Sequence, residues 1–195
     1  MRSVLIWASL ALAFFIPIVL AAQSPLLQWR DPVYIAAGFA GIFGLGLLLV
    51  QPLLAARTLP GLHPRNALRL HRMGGIALIF CVVLHVVGLW VTSPPDVVDV
   101  LLFRSPTPFG IWGAVAMWAV FAAAALAILG TARRLPASVW REVHFAVSAL
   151  AAVATVLHAL LIEGAMELSS KIALCAFVFA AVGWLLYRKM QRRRA

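Results

Sequence analysis

Residues 67–92 read ALRLHRMGGIALIFCVVLHVVGLWVT. Beyond Arg72 the run continues for twenty residues without a formal charge. A helix needs about 20 mostly apolar residues to cross a hydrocarbon core of about 30 Å, so this segment has the length and composition of a membrane span. Two of its residues sit badly with lipid. His71 and His85 are polar and ionisable, and such side chains inside a membrane are costly, usually functional and turned toward the bundle interior. They lie fourteen residues apart. At about 100° per residue fourteen steps fall about 40° short of four turns, so both imidazoles share one helix face, about 21 Å apart along the axis.

The pattern recurs downstream. His144 and His158 are again fourteen residues apart, inside an apolar run over 139–162. Across the whole chain of 195 residues the apolar fraction is 64% and the charged fraction 11%. A soluble domain would have about 45–50% and about 25%, and could not bury the excess. Runs of spanning length occur at 4–22, 33–56, 67–92, 109–130, 139–162 and 171–187. The breaks between them carry proline and small polar residues, such as Pro32, Thr58-Leu59-Pro60-Gly61, Pro64, Ser93-Pro94-Pro95, Pro106, Pro108 and Pro136. The expected fold is all-α: one integral membrane six-helix bundle over residues 1–195. Residues 1–22 also resemble a secretory signal in outline, with Arg2, an apolar run and Val19-Leu20-Ala21, although the run is long for one.

The net charge of +10 does not point to nucleic acid, because the basic residues stand in short clusters between the spans. Alternate connections hold thirteen of them: Arg2; Arg57, Arg65, Arg69 and Arg72; Arg133, Arg134 and Arg141; and Arg188 to Arg194 with Lys189. The other side has Arg30, Arg104 and Lys171, together with five of the six acids. The positive-inside rule then makes both termini cytoplasmic. Trp90 and Trp112 fall near the outer edge, and Trp140, Trp184 and Tyr187 near the inner one, where aromatic anchors belong. Cys81 and Cys175 lie in apolar runs and read as packing residues.

With one complete span between them, the third and fifth spans run in the same direction. His71 and His144 therefore stand near the cytoplasmic edge, and His85 and His158 nearer the outer edge. If the two helices face one another, the four imidazoles form two level pairs. Neutral histidine nitrogen is a good ligand for iron, and one imidazole from each side satisfies a low-spin heme. Gly74 and Gly75 beside His71, with Ser148, Ala151, Ala154 and Thr155 between His144 and His158, leave room for a flat macrocycle or for close helix packing. Arg65, Arg69, Arg72 and Arg141 are near enough in sequence to pair with heme propionates, although the positive-inside rule places arginines there regardless. The competing reading is a histidine proton relay or purely structural histidines. His63, in a loop beside Pro64, reads as an interfacial residue.

The segment His71-Arg72-Met73-Gly74-Gly75-Ile76-Ala77-Leu78 followed by His85 resembles the third helix of the ferric reductase-like transmembrane domain. Trp140-Arg141-Glu142-Val143-His144 followed by His158 resembles its fifth. That superfamily includes ferric reductases, NADPH oxidases and the heme subunit of the bacterial methionine-sulfoxide reductase system. The resemblance implies two stacked b-type hemes, or one, on His71, His85, His144 and His158, and transmembrane electron transfer. Quinol-oxidising cytochromes b use a similar spacing. Family members that use NAD(P)H carry a flavin and nucleotide domain after the last span. Here about eight residues follow the sixth run, and no Gly-x-Gly-x-x-Gly fingerprint lies on a strand. The glycine-rich run from Gly38 to Gly46 reads as helix packing. The expected donor is thus a separate cytoplasmic flavoprotein or a membrane quinol, and the acceptor is ferric iron or a partner oxidoreductase outside. Gln51 and Asn66 are the amides nearest the third span that a quinol site would use. A heme-free proton or solute carrier would want carboxylates inside the spans, and none is there. Short loops and a short chain fit a bacterial inner membrane.

Overall fold

Proline marks where the helices begin. The computed structural model describes residues 1–132 and 136–194. Its helices are α1 (Arg2–Ala22), α2 (Pro32–Ala56), α3 (Pro64–Thr92), α4 (Pro94–Leu101), α5 (Pro108–Ala132), α6 (Ala137–Leu161) and α7 (Leu168–Arg194), with a 3₁₀ turn at Pro25–Leu27. Four of them open on a proline, whose missing N–H would be unpaired in a first turn anyway and whose φ is already helical. Among the described residues there is no strand, and all but α4 are long and apolar enough to cross a membrane. The expected spans are therefore found, with ends shifted by no more than three residues, except that α7 runs on through its basic tail. Arg133 and Arg134, assigned to an inner connection, lie outside the described residues.

Sequence reasoning missed α4. Its eight residues are far too short to span, yet Pro94 and Pro95 start it and Ser93 Oγ donates to the Asp96 carboxylate at its head. Val97 is its buried contact. Three of the five acids assigned to the outer side, Asp31, Asp96 and Glu167, do local work at helix starts. Asp31 caps α2, its Oδ1 accepting from the N–H groups of Val33 (2.7 Å) and Tyr34 (3.4 Å). Glu167 caps α7, accepting from Ser169 N–H (2.9 Å), Ser170 N–H (3.0 Å) and Ser169 Oγ (2.6 Å). These donors, Ser169 first, hold its carboxyl down at about 2. A carboxylate satisfies the orphan N–H groups of a first turn, so its sequence position follows from capping as well as from topology.

The chain divides into two units, residues 1–92 with 163–195, and residues 93–162. In the first, α2 packs on α3, and α1 and α7 pack on α2 and on each other. In the second, α5 packs on α6 and α4 lies against α5. Small residues set the first of these contacts. A Cβ on Gly88 would stand 2.7 Å from the Ala37 side chain, and one on Gly44 would meet Leu78 and Cys81 at ordinary contact. The glycine-rich run of α2 is thus a packing surface, as its composition predicts. Large apolar side chains such as Ile76, Phe80, Val87 and Val91 of α3 are exposed, which suits a helix facing lipid rather than water.

Candidate functional site

The four intramembrane histidines fall in two helical hairpins, His71 and His85 on α3 beside α2, and His144 and His158 on α6 beside α5. All four are half-buried.

His85 and His158 are held in the same way. His85 Nδ1 lies 2.7 Å from the carbonyl oxygen of Ala37 on α2. His158 Nδ1 lies 2.8 Å from the carbonyl oxygen of Phe109 on α5. A carbonyl only accepts, so the proton sits on Nδ1 in both rings and the lone pair falls on Nε2. One turn along each partner helix stands a glycine. A Cβ on Gly41 would be 3.1 Å from His85 Nδ1, and one on Gly113 would be 2.8 Å from His158 Nδ1. Each ring therefore lies over a gap that any other residue would fill. Phe109 adds an edge-on contact to His158, ring centroids 6.0 Å apart.

The agreement extends to register. From Ala37 to Phe109 and from Gly41 to Gly113 the separation is 72 residues, and from His71 to His144 and His85 to His158 it is 73. The α2–α3 and α5–α6 hairpins are thus copies of one arrangement, down to the paired glycines Gly38/Gly41 and Gly110/Gly113.

The inner histidines are supported differently. The His71 carbonyl accepts from Gln51 Nε2 of α2 at 3.2 Å. Gln51 is only 8% exposed, and its Oε1 is buried without a hydrogen-bond partner among the described residues. Gly74 makes room for this amide, since a Cβ there would stand 2.7 Å from Nε2. The space beside His71 that the glycines were expected to leave is thus partly taken by Gln51. On α6 the Trp140 indole stacks on the His144 ring, with centroids 5.3 Å apart and planes 11° from parallel. Its Nε1–H donates to the Leu126 carbonyl at 2.8 Å, and the indole occupies the place of a Cβ on Gly130. Trp140, expected as an interface anchor, turns its polar edge into the hairpin. Trp140→Phe keeps an aromatic ring against His144 but removes the N–H donor. It is expected to cost about 1 kcal/mol in thermal unfolding followed in detergent, and unchanged stability would discount the Leu126 bond.

Arg65, Arg69 and Arg72 are exposed on the first turns of α3, and Arg141 is exposed three residues before His144 on α6. All four stand at the histidine-bearing ends that were assigned to the cytoplasm. His63 is exposed, and its Nδ1 accepts from Arg65 N–H at 3.3 Å, so it caps α3. Sequence reasoning missed the two carbonyls, Gly41, Gly113 and the roles of Trp140 and Gln51. Of these, only the glycine pairs repeating 72 residues apart leave a mark in the sequence.

The setting of His85 and His158 suits a heme ligand. Two carbonyl-fixed imidazoles over side-chain-free gaps are what second-shell support of a metal-bound histidine requires. A family profile described as the ferric reductase-like transmembrane component matches residues 40–155, more than half of the chain. The match takes in His71, His85 and His144 and stops three residues before His158, whose setting nonetheless duplicates that of His85. Comparison with curated proteins gives no match, and comparison with solved structures gives none. With six apolar helices of spanning length and this match, the chain is a multi-pass membrane protein that belongs to the ferric reductase-like transmembrane component family.

Proposed function

We propose that the chain carries electrons across a membrane through two b-type hemes, each held by one histidine of α3 and one of α6. His71 and His144 would serve the inner site, and His85 and His158 the outer one. The observation that carries this reading is the matched pair of Nδ1–carbonyl bonds at His85 and His158. A heme held by histidine nitrogens would supply one-electron chemistry, which suits electron transfer.

The protein's part is orientation and electrostatics. The carbonyls of Ala37 and Phe109 fix the ring planes and make Nε2 more basic. Arg65, Arg69, Arg72 and Arg141 supply positive charge for propionate carboxylates at the inner end. Electrons enter from a separate flavoprotein on the cytoplasmic side, taken as the side of the arginine-rich connections, and leave to ferric iron or a partner oxidoreductase outside. A bacterial inner membrane is the setting that suits this arrangement.

One observation favours a second donor, a membrane quinol. An apolar cleft of about 370 Å³ lies among α1, α2 and α3, lined by Trp7, Leu47, Leu54, Leu70, Met73 and Gly74 among others. Trp7 is tied at its edge by Nε1–H donation to the Pro60 carbonyl at 3.1 Å. Such a cleft, three residues from His71 at Gly74, suits a polyprenyl tail.

The test is a dithionite-reduced minus oxidised spectrum of the purified chain, with heme quantified per chain. A sharp b-type band at about two hemes per chain is expected for two bis-histidine sites. No heme in a folded sample supplied with heme would overturn the proposal. Reduction by a quinol analogue without flavoprotein would select the second donor.

A further inference from the structure

Two turns on the side assigned to the outside by the arginine distribution repeat a short pattern. Trp29-Arg30-Asp31-Pro32 leads into α2, and Phe103-Arg104-Ser105-Pro106 stands just before α5, each residue 74 positions after its counterpart. The third member accepts a hydrogen bond two residues on in both. Asp31 Oδ1 takes the Val33 N–H at 2.7 Å, and Ser105 Oγ takes the Thr107 N–H at 3.3 Å.

The first member is out of place in both. Gln28 has φ −56° and ψ 132°, Trp29 has φ 65°, and Arg30 N–H donates to the Leu27 carbonyl at 3.2 Å. That is a type II turn with Trp29 at its third position, where glycine is the usual residue. Phe103, with φ 57°, follows the C-cap of α4. Its N–H donates to the Val100 carbonyl at 3.1 Å, and the Arg104 N–H to the Asp99 carbonyl at 2.7 Å. That is a Schellman motif with Phe103 in the left-handed position that glycine usually takes. A bulky side chain crowds the backbone there. Two turns of different construction thus each hold an aromatic ring where the backbone favours none.

Neither ring repays that strain by packing into the chain. Trp29 is 97% exposed and Phe103 52%, with Leu26 and Leu102 exposed beside them. Arg30 and Arg104 are exposed too. Arg30 Cζ lies 5.1 Å from the Tyr34 ring centroid, and a stacked guanidinium still presents its N–H edge. An exposed ring, an exposed leucine and an arginine next to a membrane span match the boundary between acyl chains and headgroups. Aromatic rings settle at headgroup level, and guanidinium pairs with phosphate through two parallel hydrogen bonds.

We infer that the two turns are phospholipid anchors: the rings of Trp29 and Phe103 enter the interface, and Arg30 and Arg104 hold lipid phosphate beside them. The strain is then repaid outside the chain. The anchors fix the depth of α2 and α5, the helices whose Ala37 and Phe109 carbonyls hold His85 and His158. This holds with or without heme.

The experiment replaces Trp29 or Phe103 with the photo-crosslinker p-benzoylphenylalanine in the full chain, in vesicles of phosphatidylethanolamine and phosphatidylglycerol and in cell membranes. After irradiation, mass spectrometry reads what each position has joined. Trp118, exposed midway along α5, is replaced in the same way as a lipid-facing reference that also reports correct insertion. Phospholipid adducts are expected at 29 and 103 through the headgroup or glycerol end, and at 118 through an acyl chain. With Arg30→Gln and Arg104→Gln added, the yield at 29 and 103 is expected to fall while that at 118 holds. Lipid adducts at 118 alone would overturn the inference. So would adducts to another protein at 29 and 103 in place of lipid, which would make the turns a docking surface. A yield at 29 and 103 untouched by the arginine changes would overturn the phosphate contact.

Discussion

His85→Ala is expected to take away one of two hemes, and His158→Ala to take away the same one. The double variant should lose no more than either single change, because both imidazoles of the pair would be needed to hold the one heme. His71→Ala and His144→Ala should behave as a second such pair. A crossed variant, His85→Ala with His144→Ala, should lose both hemes. Heme per chain by the pyridine hemochrome assay, with low-spin signals counted by electron paramagnetic resonance, separates these cases. Each helix carries its histidines fourteen residues apart, about 21 Å along the axis, so neither histidine of a helix can substitute for the other. Loss of heme in His85→Ala but not in His158→Ala would break the pairing. It would also single out His158, the one histidine of the four beyond the matched family segment.

Much of the fold was legible because lipid enforces it. Chain of this apolarity must span, spanning fixes helix length, and proline shows where each helix starts. What escaped was α4, whose eight residues follow Ser93 and two prolines and look like a loop in any window of membrane length. The acids show a different limit. Asp31 and Glu167 were counted as markers of the outer side, yet each is fixed by the N–H groups of its own helix start. Topology and capping asked for the same residue type at the same place, and the sequence alone does not separate them.

The site was half legible, for a physical reason. A histidine in an apolar run is conspicuous because its cost has to be repaid by function. Its partners at Ala37 and Phe109 are main-chain carbonyls, and every residue has one. Gly41 and Gly113 look like ordinary packing glycines until the ring above each is seen. Trp140 has the position and type of an interface anchor, and only its bond to Leu126 and its stack on His144 reveal the other use. The signal that was present and unused is the repeat itself, which pairs glycines and histidines between α2–α3 and α5–α6 at 72 and 73 residues. It lies well beyond the 20–50-residue periods that mark repeat folds.

Gly113→Ala should weaken the outer heme more than Gly41→Ala does, and Gly38→Ala should leave it unchanged. The added Cβ would stand 2.8 Å from His158 Nδ1 and 3.0 Å from Cε1, too close for either to stay. The ring cannot simply back away, since the Phe109 carbonyl holds the same Nδ1 at 2.8 Å. It must give up the bond or tilt, and either moves Nε2, the nitrogen that would hold a heme. Overpacking of this kind costs about 1–3 kcal/mol, against about 1 kcal/mol returned by replacing a mid-helix glycine with alanine. Gly41→Ala makes the same intrusion on His85 at 3.1 and 3.2 Å, so a shift of a few tenths of an ångström suffices and the effect should be smaller. Gly38→Ala meets nothing within 4 Å and serves as the control, neutral or slightly stabilising. Transfer of heme to excess apomyoglobin reads the order directly: outer-heme loss should be fastest in Gly113→Ala, by about tenfold for each 1.4 kcal/mol, intermediate in Gly41→Ala and unchanged in Gly38→Ala. If Gly113→Ala and Gly38→Ala released heme alike, the gap under His158 would be a packing accident rather than part of the ligand's support.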